Sequence, residues 1–145
     1  MGKRRKAREA ALQILFQTEF NDNSLKDILR QFWKNKKADK ETREFSRNLV
    51  ENVLADKEKI DLSIQSVSEN WRVSRMAVID LCILRMAVYE LIYDEDLAPA
   101  IVINEAIEIA KKYSGTKAAN FINGILDAVK NTEKEKSLQE GKKND

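Results

Sequence analysis

Histidine is absent from the sequence, and cysteine occurs only once, as Cys82. Without histidine the chain lacks the commonest general base and the usual imidazole ligand of metal sites. A single thiol can form neither an intramolecular disulfide nor a thiolate zinc cluster, and it fits a reducing compartment. Phosphate-binding glycine loops of the P-loop and dinucleotide types are missing as well. We therefore expect no catalytic residue, no metal site and no cofactor.

Turn formers and long apolar runs are also scarce. Four glycines and one proline are too few for a sandwich or barrel of many short strands. The longest apolar region, residues 76–93, is interrupted by Asp80, Arg85 and Glu90, whereas a membrane span needs about 18 uncharged residues. The basic N-terminus runs into an amphipathic segment rather than an apolar one, so we expect no secretory signal. The sequence therefore predicts a cytoplasmic protein that does not contact membranes.

Apolar residues instead recur at intervals of three and four along most of the chain, which is the spacing of amphipathic helices. The pattern predicts an all-α protein, a compact bundle of about seven helices. We expect a single helical domain over residues 1–131 and a polar, disordered tail over 132–145. The predicted helices cover 6–20, a short segment after Ser24, about 30 residues after Asp39 with a break near Asp56, then 75–93, 99–113 and a last helix after 115.

Several residues have the chemistry of helix ends. Ser24, Asp39, Ser74 and Thr116 are predicted N-caps because their side-chain oxygens can accept from backbone N–H groups. Pro99 suits the first turn of a helix, where its missing N–H costs nothing. Gly115 suits the position after a helix C-terminus.

The positive charge is concentrated in a basic arm at residues 3–8, although the net charge of the whole chain is only +2. The arm contains five cations and no acid: Lys3, Arg4, Arg5, Lys6 and Arg8. Cations at a helix N-terminus oppose the positive pole of the helix dipole, so helix stability does not explain them. A phosphate backbone would use them, since lysine and arginine displace its counterions. A purely solubilising role is the alternative left open.

Phe16 falls toward the edge of the polar face of the first predicted helix. An aromatic ring beside a basic arm can stack on an unpaired base. Packing at the margin of the core is the other interpretation. No helix presents arginine, asparagine and glutamine in the pattern that reads the DNA major groove, which favours RNA.

Four blocks of sequence together resemble the NusB family of transcription antitermination factors in their order and spacing. They are RRKAREAALQILFQ from Arg4, LRMAVYEL at 84–91, INEAIEIAKKY at 103–113 and FINGILD at 121–127. The resemblance covers residues 4–130. It implies a fold of two packed three-helix bundles without enzymatic activity.

The resemblance also implies a function and partners. Members of this family bind boxA-like single-stranded RNA together with the small-subunit ribosomal protein NusE. They join the antitermination complex of elongating RNA polymerase and suppress termination, notably on ribosomal RNA operons. Whether this chain forms a homodimer is left open.

The family's site residues are carried over by position. Arg4, Arg5, Lys6 and Arg8 match the RNA-binding arm, and Asp80 matches an acidic position near the partner surface. Lys6 replaces a frequent arginine and Phe16 a tyrosine, so phosphate attraction is kept while a bidentate contact and a hydroxyl hydrogen bond are lost. The full set of expected RNA-binding residues is Lys3, Arg4, Arg5, Lys6, Arg8, Phe16, Lys117 and Phe121.

Two other functions remain open. One is the RNA-positioning domain of a ribosomal RNA cytosine methyltransferase, for which residues 132–145 are too few to add a methyl-donor pocket. The other is a helical protein-binding adaptor whose basic arm only solubilises it.

Three further residues within predicted helices carry structural expectations. Gly124 lies inside a helix, where glycine costs about 1 kcal/mol relative to alanine, so we expect another helix to approach it closely. Arg85 and Glu90 are five residues apart and are expected to pair with other helices, with Glu105 a candidate partner of Arg85.

Overall fold

The computed structural model describes residues 2–143, with side chains described for 2–141. Over this range the chain forms seven α-helices, one short 3-10 helix and no strand, which confirms the all-α prediction. No helix within the same range is both long enough and apolar enough to cross a membrane. The helices are α1 (Lys3–Phe20), α2 (Leu25–Trp33), α3 (Lys40–Ala55), α4 (Lys57–Val67), the 3-10 helix Val73–Arg75, α5 (Val78–Tyr93), α6 (Pro99–Tyr113) and α7 (Thr116–Lys143).

The chain divides into two compact units, and the division falls beside the break that was predicted near Asp56. Unit 1 ends at Lys57 and contains α1, α2 and α3. Unit 2 begins at Glu58 and contains the rest of α4 together with α5, α6 and α7. The single domain expected over residues 1–131 thus contains two separately packed parts.

The core of unit 1 is built around α1, which packs against α2 and α3. Three alanines on its buried face, Ala7, Ala10 and Ala11, leave room for a close approach of the neighbouring helices. Larger side chains, among them Leu12 and Ile14, fill the remaining space, so the core is closely packed. Burial of these apolar surfaces is the main force that holds unit 1 together.

The core of unit 2 is built around α5, which packs against α6 and α7. Most of its side chains are buried, as expected for a helix that is apolar nearly all round. Cys82 is among them, with 1% of its surface exposed, so it behaves as a small apolar core residue. Arg85 is 7% exposed and donates from Nε and Nη2 to the two carboxylate oxygens of Asp61 on α4, at 2.8 and 2.9 Å. The predicted pairing of Arg85 with another helix is confirmed, through a residue that the sequence did not single out.

Four of the predicted helix ends are confirmed. Ser24 Oγ accepts from the Asp27 N–H at 3.2 Å, and Asp39 Oδ1 accepts from the Thr42 N–H at 2.8 Å. Pro99 lies in the first turn of α6. Gly115 has φ +109°, a conformation that strongly favours glycine, and its N–H donates to the Ala110 carbonyl at 2.9 Å.

Two predicted caps are wrong. Ser74 lies inside the 3-10 helix, and α5 begins only at Val78 without a side-chain cap. The Arg75 and Met76 N–H groups donate to the Arg72 and Val73 carbonyls at 2.9 and 3.1 Å, so Ser74 is enclosed in a 3-10 turn, and the extended Met76 separates it from α5. Gln65 holds the start of this turn, since its side-chain oxygen accepts from the Val73 N–H at 2.9 Å. Thr116 is the first helical residue of α7 rather than its cap, because the Gly115 carbonyl already accepts the first helical hydrogen bond, from the Ala119 N–H at 3.0 Å.

Two expectations about α7 also differ from the structure. Gly124 is exposed, and a Cβ atom placed on it would have no neighbour within 4 Å, so none of the described helices approaches it closely. Helix α7 continues to Lys143, through most of the tail that was expected to be disordered. Its sequence is rich in glutamate and lysine, which favour helix, and Glu133 pairs with Lys136 one turn later at 3.6 Å. Residues 144 and 145 lie outside the described residues.

Because Gly124 has room for a side chain, Gly124→Ala should raise the free energy of unfolding by about 0.5–1 kcal/mol, through a smaller loss of backbone entropy. Urea unfolding followed by circular dichroism measures the change. The matched control is Gly115→Ala, which should destabilise the protein because its φ of +109° is strained for alanine. A loss of stability in Gly124→Ala would contradict the open environment of this residue.

A second prediction about stability concerns the Arg85–Asp61 pair. Asp61→Ala should lower the free energy of unfolding by about 1–3 kcal/mol, less than the loss for a fully buried pair because the Asp61 side chain is 26% exposed. Asp127→Ala, which breaks the exposed 3.7 Å pair with Lys130, should change it by less than about 0.5 kcal/mol. Equal effects of the two variants would mean that the Arg85–Asp61 pair adds no more stability than a surface pair.

Candidate nucleic-acid interface

The basic arm forms the first two turns of α1, where no acidic residue and no side-chain cap offsets the helix dipole. The compensating carboxylates come from α3 and from its cap. Lys3 Nζ lies 2.9 Å from Asp39 Oδ2, and Arg4 Nη2 lies 3.6 Å from Glu41 Oε1. Both pairs are largely exposed to solvent, so each contributes little to stability. Their main consequence is that the outermost cations of the arm already have anionic partners.

These contacts shift the protonation of the paired groups. Hydrogen bonds from the Thr42 side chain and backbone hold the pKa of Asp39 well below its ordinary value, and the hydrogen bond from Lys3 lowers it further. The pKa of Lys3 is raised in turn, by the hydrogen bond to Asp39 and by the charges of Asp39 and Glu41. Both groups therefore stay charged near neutral pH, and Asp39 serves at once as the N-cap of α3 and as the partner of the arm.

Phe45 on α3 holds two arginines of the arm. The Arg4 and Arg8 guanidinium carbons lie 4.3 and 5.4 Å from the centre of its ring, within the range of cation–π attraction. Arg8 is only 4% exposed. The prediction that Arg8 contacts RNA conflicts with this burial, because a guanidinium held inside unit 1 does not present itself to a phosphate in solvent.

The remaining two cations of the arm differ in their accessibility. Lys6 is exposed and makes no ion pair with a described residue, while Arg5 is half-buried. Lys6, Gln13 and Phe20 follow one another at intervals of seven residues, so they lie on one face of α1. All three are exposed. This face therefore begins with a cation and ends with an aromatic ring, about 21 Å further along the helix.

The aromatic end of this face consists of two rings. Phe16 is 37% exposed and Phe20 is 68% exposed, with their ring centres 4.9 Å apart and their planes tilted by 55°. Phe16 was predicted from the sequence as a site residue, whereas Phe20 was missed. The signal was available, because residues four apart share a face of a helix. An exposed pair of rings is a platform on which an unpaired base can stack.

A second group of candidate residues lies in unit 2. Lys117 is exposed in the first turn of α7, and Phe121 is half-buried one turn later on the same face. The Phe121 ring meets Trp71 nearly at right angles, with centres 6.3 Å apart, and Trp71 is 60% exposed. Trp71 was missed as a site residue, since it lies in a loop to which helical periodicity assigns no face. Unit 2 thus also presents a cation next to exposed aromatic surface.

Asp80, the expected partner-binding residue, lies in the first turn of α5. Its Oδ1 accepts from the Ser114 hydroxyl at 2.6 Å, which ties the start of α5 to the end of α6. Asp80 therefore has a structural role in unit 2 besides any role at a surface. Over residues 2–143, no cluster of three or more acidic or cysteine side chains is arranged to hold a metal ion.

Comparison with known proteins agrees with these features. The family model described as "NusB family" matches residues 5–131. Transcription antitermination protein NusB of Trichlorobacter lovleyi is 47% identical over 129 residues, which are 89% of this chain and 91% of that protein. The same protein of Listeria monocytogenes serotype 4a is 44% identical over 124 residues, 86% of this chain and 93% of the relative.

Solved structures give the same result. T. maritima NusB has a TM-score of 0.81 at 35% identity, covering 90% of this chain and 92% of that one. A structure of the antitermination factors NusB and NusE in complex with double-stranded RNA has a TM-score of 0.82 at 26% identity, covering 91% and 98%. With the family model matched over most of its length and relatives above 40% identity, this chain belongs to the NusB family of transcription antitermination proteins.

Proposed function

We propose that this protein is an RNA-binding transcription antitermination factor that binds boxA-type RNA together with the ribosomal protein NusE. In this role it joins elongating RNA polymerase and suppresses termination, notably on ribosomal RNA operons. The proposal is supported by the relatives named as antitermination proteins and by the fold shared with a NusB–NusE–RNA complex. The observation that carries it is the face of α1, which combines an accessible cation, Lys6, at one end with exposed aromatic rings at the other.

In this proposal the cations of the arm have different tasks. Lys6 and Arg5 contact phosphates directly. Lys3 and Arg4 exchange their carboxylate partners on the α3 side for phosphate oxygens, which is feasible because both pairs are exposed. Arg8 acts as a positioning residue, since its contact with Phe45 anchors the arm to α3.

The aromatic residues supply the contacts to bases. Phe16 and Phe20 in unit 1, and Phe121 with Trp71 in unit 2, offer exposed π surfaces. Unpaired bases can stack on such rings, whereas paired bases inside a helix cannot, so we propose single-stranded RNA as the preferred ligand. Lys117 adds a cation beside Phe121, and Asp80 contributes to the surface that contacts NusE.

The protein acts by binding alone in this proposal, without an enzymatic step. Its place of action is the cytoplasm, where RNA polymerase transcribes ribosomal RNA operons. Titration of boxA-like RNA against a scrambled RNA, with and without NusE and at several salt concentrations, tests the function. Equal affinity for both RNAs under every condition would refute it.

The arm generates the first binding prediction. The double variant Arg5→Ala/Lys6→Ala should flatten the dependence of log K on log salt by about 1.4 on single-stranded RNA, because each lost phosphate contact removes about 0.7. The matched control is Lys59→Ala/Lys134→Ala, which removes two exposed lysines of α4 and α7 and should leave the slope unchanged. If both variants have the slope of the unmodified protein, Arg5 and Lys6 do not bind phosphates.

The second binding prediction concerns the exposed aromatic rings. Phe20→Ala should weaken RNA binding by about 1–3 kcal/mol through lost stacking, with the salt slope and thermal stability unchanged because Phe20 is 68% exposed. Leu62→Ala is a control at an apolar side chain that is 71% exposed on α4, and it should alter neither RNA affinity nor stability. Fluorescence anisotropy gives the affinities and circular dichroism the melting curves. Unchanged RNA affinity in Phe20→Ala would argue against a stacking platform at this end of α1.

A further inference from the structure

A groove in unit 1 between α2 and α3 is not used by the proposed RNA contacts. Its volume is about 1030 Å³. Its lining extends from Leu25 to Trp33 on α2 and from Lys40 to Glu51 on α3, which corresponds to about 12 and 16 Å of helix. This volume lies at the upper end of the range of about 300–1,000 Å³ for small-molecule pockets, and the length of the lining equals two or three turns of helix.

One side of the groove is apolar. Leu25, Leu29 and Trp33 follow one another at intervals of four and form an apolar row along α2. All three line the groove and are only half-buried. Trp33 is held between two neighbours, since its ring lies edge-on to Phe32 at 4.8 Å and the Arg43 guanidinium lies 5.5 Å from its centre. A preoriented, partly exposed tryptophan is the type of residue that anchors protein interfaces.

Cations flank this apolar row on both helices. On α2 and its C-cap they form one cationic row, Lys26, Arg30 and Lys34, and on α3 they form a second, Lys40, Arg43 and Arg47. With Lys36 the lining holds seven cations against two carboxylates, Glu44 and Glu51.

The positive charge of the groove is only partly compensated. Each of its two carboxylates lies 3.8 Å from a cation one turn away on α3, in the pairs Lys40–Glu44 and Arg47–Glu51. Arg30 pairs with Asp27, which is outside the lining, at 2.7 Å, and all three pairs are exposed and therefore weak. Lys26 and Lys34 make no ion pair with any described residue. The groove therefore has a surplus of positive charge beside an apolar surface that α2 and α3 leave half-exposed.

We propose that this groove binds an acidic amphipathic helix of a protein partner. Apolar side chains on one face of that helix would pack on Leu25, Leu29 and Trp33, and its flanking glutamates and aspartates would meet the two cationic rows. A nucleic acid would use the cations but not the two leucines, because base stacking needs aromatic rings. The apolar row is thus the observation that favours a peptide over RNA, and the proposal stands independently of the RNA function.

The probe is a synthetic helical peptide of about 15 residues, with leucines spaced to form one face and glutamates elsewhere. A second peptide has the same composition in an order that disperses the leucines around the helix. Trp71→Phe leaves Trp33 as the only tryptophan, so its emission reports directly on the groove. We expect the first peptide to bind with a shift of Trp33 emission to shorter wavelengths, and the second to bind about tenfold more weakly.

Charge reversal on the rim tests the cationic rows. Lys26→Glu/Lys34→Glu changes two exposed lysines and should weaken peptide binding about tenfold. Lys59→Glu/Lys134→Glu makes the same change in net charge outside the groove and should leave the affinity unchanged. Circular dichroism verifies that both variants fold.

Three results would overturn the proposal. The first is no binding of the leucine-faced peptide. The second is equal affinity for the two peptides, which would mean that the apolar row is not used. The third is that Lys26→Glu/Lys34→Glu weakens binding of a single-stranded RNA oligomer while peptide binding is unaffected, which would assign the groove to nucleic acid.

Discussion

The cations of the basic arm lie at the positive pole of α1, so other parts of unit 1 must stabilise them. Phe45, Asp39 and Glu41 supply this stabilisation from α3 and its cap, through cation–π contacts and ion pairs. These contacts connect the start of α1 to the start of α3, and α1 in turn forms the centre of the unit 1 core. Of the cations in the arm, only Arg8 is buried by its contact with α3, whereas Lys3 and Arg4 stay exposed although they are paired.

The two units repeat one chemical arrangement. In unit 1 exposed cations share a helix with the Phe16–Phe20 pair, and in unit 2 Lys117 precedes Phe121, which contacts Trp71. In each case the rings contact each other and remain partly exposed, so they are oriented without being removed from solvent. Such preorientation lowers the entropy that a ligand must overcome when it stacks on them.

The structure also separates polar groups that hold the fold from those that face solvent. Arg85 is paired with Asp61 inside unit 2, and Asp80 is bonded to Ser114, so these two charged positions of α5 connect it to other helices. The cations of the α2–α3 groove are different, because most of its lysines and arginines stay exposed. The charged side chains of α5 thus connect the helices of unit 2, whereas the cations on α1, α2 and α3 remain available for binding.

Much of the fold could be read from the sequence, because local rules determine it. The 3.6-residue periodicity predicted the helices, and the side chains of Ser24 and Asp39 predicted two caps through bonds to residues only three positions away. The break near Asp56 and the buried position of Cys82 followed from the same local patterns. The four sequence blocks were sufficient to recognise the NusB family, which the comparisons then established.

The tertiary structure alone decided which polar and aromatic residues are accessible. Arg8 belongs to the same basic arm as Lys6, yet Arg8 is buried near Phe45 and Lys6 is exposed, because the contact comes from a helix 37 residues further along the chain. Ser74 lies in a 3-10 helix whose start Gln65 holds across a loop, and Asp61 pairs with Arg85 from a different helix. A sequence specifies helices through contacts between near neighbours, whereas exposure and pairing depend on residues that only the packing of α1 on α3, or of α5 on α6 and α7, brings together.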